Sequence, residues 1–374
     1  VLRLSVIDNF DDFLKLEQPW NELVSQTEVD QAFMKHQWFN CWIRNLGRPE
    51  NLAILTAWSD GQLMGIAPMQ IVSDKLKGLP VKVLCFLSSG ITPRCNFIVH
   101  ESFDKTRFFD YVFGYKGWDL IITNNIASEF KITKSYIEYL ESKKKKFKIE
   151  QGFMSPYVKT DSTYDDYWKS LSQSFRKNLR KCLNRLEKSG THKVHKITEF
   201  SQFTGIFDRL LETSAKSWKG EVDSDIKSNP NLISFYVDYS RMASDMSLFE
   251  LWILEIEGDI ASFAYSLKLR NVLTGIRTDF DPKYKYYNPG KILQLFLLKD
   301  LFSREDVWEY DMGGGRGEHK IIWTDHIREH YIITAGKSTL YGNMLMMGKL
   351  KILPMFNKLF SRNPERNTDP EISA

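Results

Sequence analysis

The segments Val272-Leu-Thr-Gly-Ile-Arg-Thr-Asp-Phe280, Asn288-Pro-Gly-Lys-Ile-Leu293 and Trp308-Glu-Tyr-Asp311 decide how this chain reads. The first, rich in β-branched and aromatic residues, predicts a strand. Asn-Pro-Gly-Lys then opens a very apolar helix. The first turn of a helix leaves backbone N–H groups unpaired beside the positive end of the dipole. A strand that feeds such a turn is therefore a natural seat for phosphate. Asn288 suits the N-cap, and Pro289 suits the first helical position because the N–H it lacks would be orphaned anyway. Gly290 would let a ligand approach the backbone, and Lys291 adds a charge. An ordinary capped helix is the plain alternative, and these residues alone do not separate the two.

Beyond the third segment lies Gly313-Gly-Gly-Arg-Gly317, then Glu318-His-Lys-Ile-Ile-Trp323. So much glycine cannot hold a regular strand or helix, so a loop with positive-φ positions is expected. Ordering it without a ligand is costly. Asp279, Asp311, Glu318 and His319 are the candidate proton-transfer groups, and none of them stands out. Arg316 and Lys320 flank Glu318 and suit an anionic group. A turn residue at Asp311 and a solvated loop at 318–320 are the bland alternatives.

Upstream, Tyr164 to Lys188 predicts one long amphipathic helix, with Trp168, Leu171, Phe175, Leu179, Leu183 and Leu186 as its core stripe. Arg176, Lys177, Arg180, Lys181, Arg185 and Lys188 form the other face, with Glu187 the only acid among them. Such a face suits phosphates of a polymer, nucleotide or lipid, and equally a solvated surface. Earlier still, Leu52–Trp58 and Gln62–Val72 predict a hairpin around Asp60-Gly61. Leu248–Glu257 and Ile260–Leu269 predict another around Glu257-Gly258-Asp259. The two turn glycines, Gly61 and Gly258, lie 197 residues apart, which suggests one unit used twice. Helices are expected over Asp11–Gln26 and Glu199–Trp218, with a strand at Trp118–Thr123.

The bulk numbers narrow the classes. Of 374 residues, 43% are hydrophobic and 14% aromatic, which is globular and sufficient for two domains. A net charge of +4, from 51 basic and 47 acidic residues, is too balanced to argue for DNA. Cys41, Cys85, Cys95 and Cys182 form no CxxC pair and read as buried thiols in a reducing compartment. No signal-peptide pattern and no run of ~18 apolar residues is present, so a cytoplasmic protein is expected. Lys143 to Lys146 reads as a solvated helix end. The tail from Leu340 to Phe360 mixes Met, Leu and Phe with lysines. It reads as packing on the domains, with contact at the inner membrane surface as the second reading.

The chain resembles the CelD/BcsL family of acyltransferases, within the GNAT superfamily of N-acetyltransferases. The likeness rests on Leu254-Glu-Ile-Glu-Gly-Asp-Ile-Ala-Ser-Phe-Ala264, Arg277-Thr-Asp-Phe-Asp-Pro282, Tyr287-Asn-Pro-Gly-Lys-Ile292, Tyr310-Asp311, Lys320 to Trp323 and Ser174-Phe-Arg-Lys-Asn-Leu-Arg180. It implies tandem duplicated GNAT-like domains of the α/β (α+β) class, with mixed, mostly antiparallel sheets flanked by helices. The domains would span 1–155 and 156–338, with 339–374 an amphipathic helix and a disordered tail. The duplication also resembles the Fem-type aminoacyl transferases.

The resemblance implies an acyl-CoA donor, most simply acetyl-CoA, with no metal, and an amine- or hydroxyl-bearing acceptor. That acceptor would be small, or a cell-envelope or polysaccharide precursor. The first strand, with Arg277 and Thr278, would hold pantetheine, and Asn288, Gly290 and Lys291 the pyrophosphate. Val307 to Met312 would be the second strand, with Asp311 where it ends, and strand ends are where α/β sheets bind ligands. Arg176, Arg180, Arg316, Lys320 and Trp323 would face the acceptor. The usual phosphate loop carries more glycine than Tyr286-Tyr-Asn-Pro-Gly-Lys-Ile292 does. That departure also suits an aminoacyl-tRNA donor or a binding-only role.

Two motifs mislead. His326-Ile-Arg-Glu-His330 matches a zinc-protease pattern that requires a helix. It leads into Tyr331-Ile-Ile-Thr, and four residues along a strand would hold the histidines roughly 13 Å apart. The glycine run lacks the Gly-Lys-Ser/Thr ending of a P-loop.

Overall fold

A computed structural model describes residues 2–76, 78–188, 190–217, 225–315 and 317–347, without the side chains at 318 and 347. The chain divides into two compact units. One comprises residues 1–153 together with a return segment that begins at Arg328; the other is Met154–Ile327.

The first unit contains β1 (Leu2–Ile7), α1 (Phe10–Leu14), α2 (Glu17–Ser25), α3 (His36–Asn45), β2 (Ile54–Ser59), β3 (Gln62–Ala67), β4 (Met69–Leu76), β5 (Leu79–Phe86), β6 (Ile98–Val99), α4 (Lys105–Gly114), β7 (Leu120–Ala127) and α5 (Lys131–Ser142). β8 (Phe147–Lys159) begins in this unit and ends in the second. The second unit continues with α6 (Tyr164–Ser170), α7 (Gln173–Lys188), β9 (His192–Ile197), α8 (Phe200–Lys216), α9 (Pro230–Asp245), β10 (Phe249–Ile256), β11 (Asp259–Leu269), β12 (Val272–Phe280), α10 (Pro289–Leu301), β13 (Glu309–Asp311) and α11 (Glu318–Ile321). β14 (Ile327–Gly336) and α12 (Leu340–Met347) complete the first unit.

In the first unit the strands run β1-β2-β3-β6 in one sheet, and β4-β5-β7-β14 follow one another in another. In the second unit the order is β13-β12-β11-β10-β9, with the end of β8 outside β13. Each unit has one parallel pair joined through a helix: β5 to β7 through α4, and β12 to β13 through α10. The other named pairings are antiparallel, so both units are mixed, mostly antiparallel sheets flanked by helices. Both expected hairpins are present, with left-handed φ at both central residues: +50° and +83° at Asp60 and Gly61, +55° and +86° at Glu257 and Gly258. Those values are what a two-residue turn needs to follow strand twist.

Three expectations need correcting. The closing strand β14, expected to end the second domain, pairs antiparallel with β7 in the first unit, so the division departs from 156–338. The long helix at 164–188 is two. Leu171 takes extended backbone, and Ser172 restarts the chain by accepting the Phe175 N–H on its Oγ. The segment 11–26 is likewise split into α1 and α2. Strand begins at Ile327, so the His326–His330 segment leads into a strand, as expected; the His326 ring stacks on Tyr157, and the His330 ring is tilted against Phe153. All four cysteines are buried and reduced. Trp218, Arg316, the Glu318 side chain and the tail beyond 347 lie outside the described residues. No helix among those residues is long and apolar enough to cross a membrane.

The apolar core of the second unit lies between its sheet and the pair α7 and α10. Leu179, Leu186, Ile292, Leu297, Leu298 and Leu301 are fully covered there. In the first unit His36 is fully buried, stacked 4.1 Å from Phe13, with Nε2 2.9 Å from the Phe13 carbonyl oxygen. Burial pushes its pKa below the usual value of about 6.5. Between the two values the unfolded chain binds more protons than the folded one. Stability should therefore rise with pH up to about 6.5 and be lost as pH falls below it. His36→Gln keeps an N–H donor but cannot titrate, so urea midpoints across pH 5–7 should slope less steeply in that variant.

Candidate functional site

The site is built on β12. Its ladder to β11 runs the whole strand, from Leu269↔Val272 to Ser262↔Phe280. Its ladder to β13 stops after three rungs: Val272↔Glu309, Leu273↔Tyr310 and Thr274↔Asp311. Beyond Thr274 the two strands part. The cause is local. The register with β11 shifts between Tyr265↔Arg277 and Ser266↔Gly275, leaving Ile276 as the extra residue of a bulge, and a bulge bends its strand.

Two glycines shape the fork. A Cβ on Gly275 would lie 3.2 Å from the Tyr310 hydroxyl oxygen, and one on Gly313, where φ is +72°, would run into the Gly275 carbonyl oxygen. Met312 leaves β13 immediately and donates its N–H to Pro156 O. Asp311, fully buried at the fork, accepts the Gly313 N–H on Oδ1 at 2.8 Å. Lys320 reaches back to donate to Gly314 O at 2.6 Å. The first two residues of the glycine loop are thus held by side chains from either side of it in sequence. Tyr310 is buried and donates to Gln294 Oε1 of α10 at 3.4 Å. Burial holds its hydroxyl above its ordinary range, so it stays protonated.

The two faces of β12 differ in chemistry. Arg277 and Asp279 are buried and paired, Nε to Oδ2 at 2.7 Å, and Arg277 also donates to Ser214 Oγ of α8. Thr278, on the opposite face, is exposed. The start of α10 departs from expectation. Asn288 does not cap the helix with its side chain. Its backbone is left-handed, with φ +50°, and its amide donates to Cys182 Sγ at 3.2 Å. The first turn, at Gly290 and Lys291, therefore has no side-chain cap. Open space lies where a Gly290 Cβ would point, and the Lys291 ammonium sits 5.9 Å from the Phe175 ring centroid.

The remaining candidates are placed as follows. Trp323 is in the core, edge-on to Phe175, with its carbonyl accepting the Tyr167 hydroxyl. His319 is exposed on α11. Arg176 is half-buried, and Arg180 lies over the Trp168 ring at 5.6 Å. Arg180, Trp168, Phe296 and Lys299 line a groove of about 280 Å³ between α6, α7 and α10. Residue types and periodicity did not reveal the roles of Gly275, Ser214 and Gln294. Gly275 carried a signal, since glycine inside a strand often marks a bulge or a close approach. Arg277 and Asp279 did too, being two apart on one strand.

Residues 173–320, wholly inside the second unit, match the family model of the acetyltransferase (GNAT) domain. No curated protein matches by sequence. Among solved structures the fold is similar to FemX, at 11% identity and a TM-score of 0.56, covering 85% of this chain and 95% of that one. It is similar to a conserved protein of unknown function from Bacteroides thetaiotaomicron, at 11% identity and TM-score 0.56, covering 90% and 100%. It is also similar to L-PGS from Bacillus licheniformis, at 15% identity and TM-score 0.50, covering 83% and 95%. The fold is a tandem GNAT-like one.

Two stability predictions follow from this geometry. Arg277→Leu, which leaves a buried carboxylate without its guanidinium, should cost about 3–5 kcal/mol in denaturant unfolding, and the double change Arg277→Leu/Asp279→Leu should recover much of it. Gly313→Ala should lower Tm by several degrees or more, because the clash with the Gly275 carbonyl oxygen adds to the loss of about 1–2 kcal/mol from a left-handed position, whereas Gly290→Ala should not.

Proposed function

We propose that the second unit is an acyl-CoA-dependent acyltransferase that moves an acyl group, most simply acetyl, onto an amine or hydroxyl of a small or cell-envelope acceptor. The observation that carries this reading is the fork between β12 and β13 inside the GNAT-matching segment. Past Thr274 the β12 backbone is the edge along which a pantetheine arm would lie, at Arg277 and Thr278. The uncapped first turn of α10, with Gly290 and Lys291, would take the pyrophosphate.

The reaction asks for few groups. The acceptor nitrogen or oxygen attacks the thioester carbon and gives up a proton. The tetrahedral oxyanion needs donors, and the departing thiolate takes up a proton. Of the four candidates, Asp279 is engaged with Arg277 and Asp311 with the Gly313 N–H. We assign loop positioning to Asp311, and proton removal to Glu318 or His319 on the ground that they follow the glycine loop where α11 begins. Arg176 and Arg180 would meet an anionic acceptor. A second reading keeps the fold but takes aminoacyl-tRNA as donor; the likeness to FemX and the single glycine of the 286–292 segment favour it.

Calorimetry with acetyl-CoA tests the reading. Micromolar binding that is lost in Gly290→Glu supports the site. No binding to either protein would reject the acyl-CoA donor and leave aminoacyl-tRNA as the next ligand to titrate.

A further inference from the structure

In the first unit, α12 has one face in the core and one in solvent. Leu345 is fully buried among Leu76, Val81, Val83, Cys85, Leu120 and Ile122, and the Tyr341 hydroxyl donates to Pro80 O at 2.6 Å. These contacts fix the helix by its inner side. On the outer side Leu340 is 90% exposed and Met344, one turn on, is 46% exposed. Leu79, next to the proline that anchors Tyr341, is 40% exposed. A leucine so exposed at the start of an uncharged helix is placed against the hydrophobic effect.

Two lysine-bearing turns lie against the segment that leads into this helix. The turn after α5 lies alongside the strand that leads into α12: Gly336 N donates to Lys146 O at 3.0 Å, and Lys145 Nζ to Ser338 Oγ at 3.0 Å. On another side Lys337 donates to Tyr115 O, which brings the turn carrying Lys116 to the same place. Lys116, Lys143, Lys144 and Lys146 are all exposed. Lys143 is paired with Asp110, Glu138 and Glu141 are exposed acids on the same helix, and Asp119 lies beside Lys337. The lysine run that reads in sequence as an ordinary helix end thus lies against the segment that leads into the exposed Leu340.

We infer that this face of the first unit docks on an anionic lipid bilayer, with Leu340, Met344 and Leu79 entering the interface and the lysines meeting headgroup phosphates. Exposed apolar side chains with lysines on neighbouring segments are what an anionic interface rewards. The apolar side chains supply area-dependent binding, and each lysine adds attraction that salt weakens. The inference does not depend on the acyl-transfer reading.

The test is sedimentation of the whole chain with phosphatidylcholine vesicles, with and without phosphatidylglycerol. Binding should require phosphatidylglycerol and fade at high salt. It should weaken about tenfold or more in Lys116→Glu/Lys144→Glu, and likewise in Leu340→Asp, if each reversed charge is worth about 1 kcal/mol or more. Both variants change exposed residues and should unfold at the parent temperature. Equal binding to both vesicles, none to either, or unchanged binding by the variants would overturn the inference. So would a dimer that Leu340→Asp dissociates without any vesicle binding. Leu340→Asp that loses stability without any vesicle binding would mean that the chain itself covers this leucine, which also overturns it.

Discussion

Everything distinctive in the second unit depends on a parallel ladder that is only three rungs long. A parallel pair normally gains from every added rung, because each buried N–H and C=O needs a partner. Here β12 continues for six residues after its partner β13 has ended at Asp311. The bulge at Ile276 bends the strand, and the glycine-to-glycine approach of Gly275 and Gly313 lets the departing loop cross close to it. That approach would not survive a side chain at Gly313, where both the backbone conformation and the space require its absence. The fork is therefore built into the backbone and does not wait for a ligand.

The surroundings hold that fork from two directions with different physics. On one face α7 and α10 pack an almost wholly apolar layer, and their weight of buried leucine and isoleucine keeps β12 and β13 in place below the split. On the other face Arg277, Asp279 and Ser214 form a polar bridge from strand to α8. A buried ion pair adds little net stability over an apolar pair, but it tolerates only one geometry. The bridge thus specifies how β12 lies against α8 above the split. Asp311 and Lys320 do the same for the glycine loop, each spending its charge on backbone groups of residues 313 and 314.

Much of this was legible in the residues. Both hairpins, the strand at 272–280 and the apolar helix from 289 follow from period, turn chemistry and length; the strand ending at Asp311 followed from the family resemblance. The motif at 326–330 was rightly taken to lead into a strand, because its continuation is β-branched. Elsewhere local signals competed with tertiary ones. Asn288 has the composition of an N-cap, yet its amide is drawn to Cys182 on α7 and its backbone turns left-handed. The apolar stripe from Trp168 to Leu186 runs on through Ser172 without a break in period, so the interruption between α6 and α7 was invisible to periodicity.

By itself the sequence determined the hairpins, the apolar helix, the glycine loop and the residues that could carry charge to it. These depend on short-range sterics and on the spacing of apolar side chains, which a linear chain displays. Only the tertiary structure decided that β14 closes the first unit and not the second, that Arg277 and Asp279 pair with each other, and that the segment leading into the exposed Leu340 lies against the turn at 145–146. Those outcomes pair residues far apart in the chain, or turn on which side of an element is covered. No local propensity encodes them, because the competing partners are equal in type and differ only in where the fold has brought them.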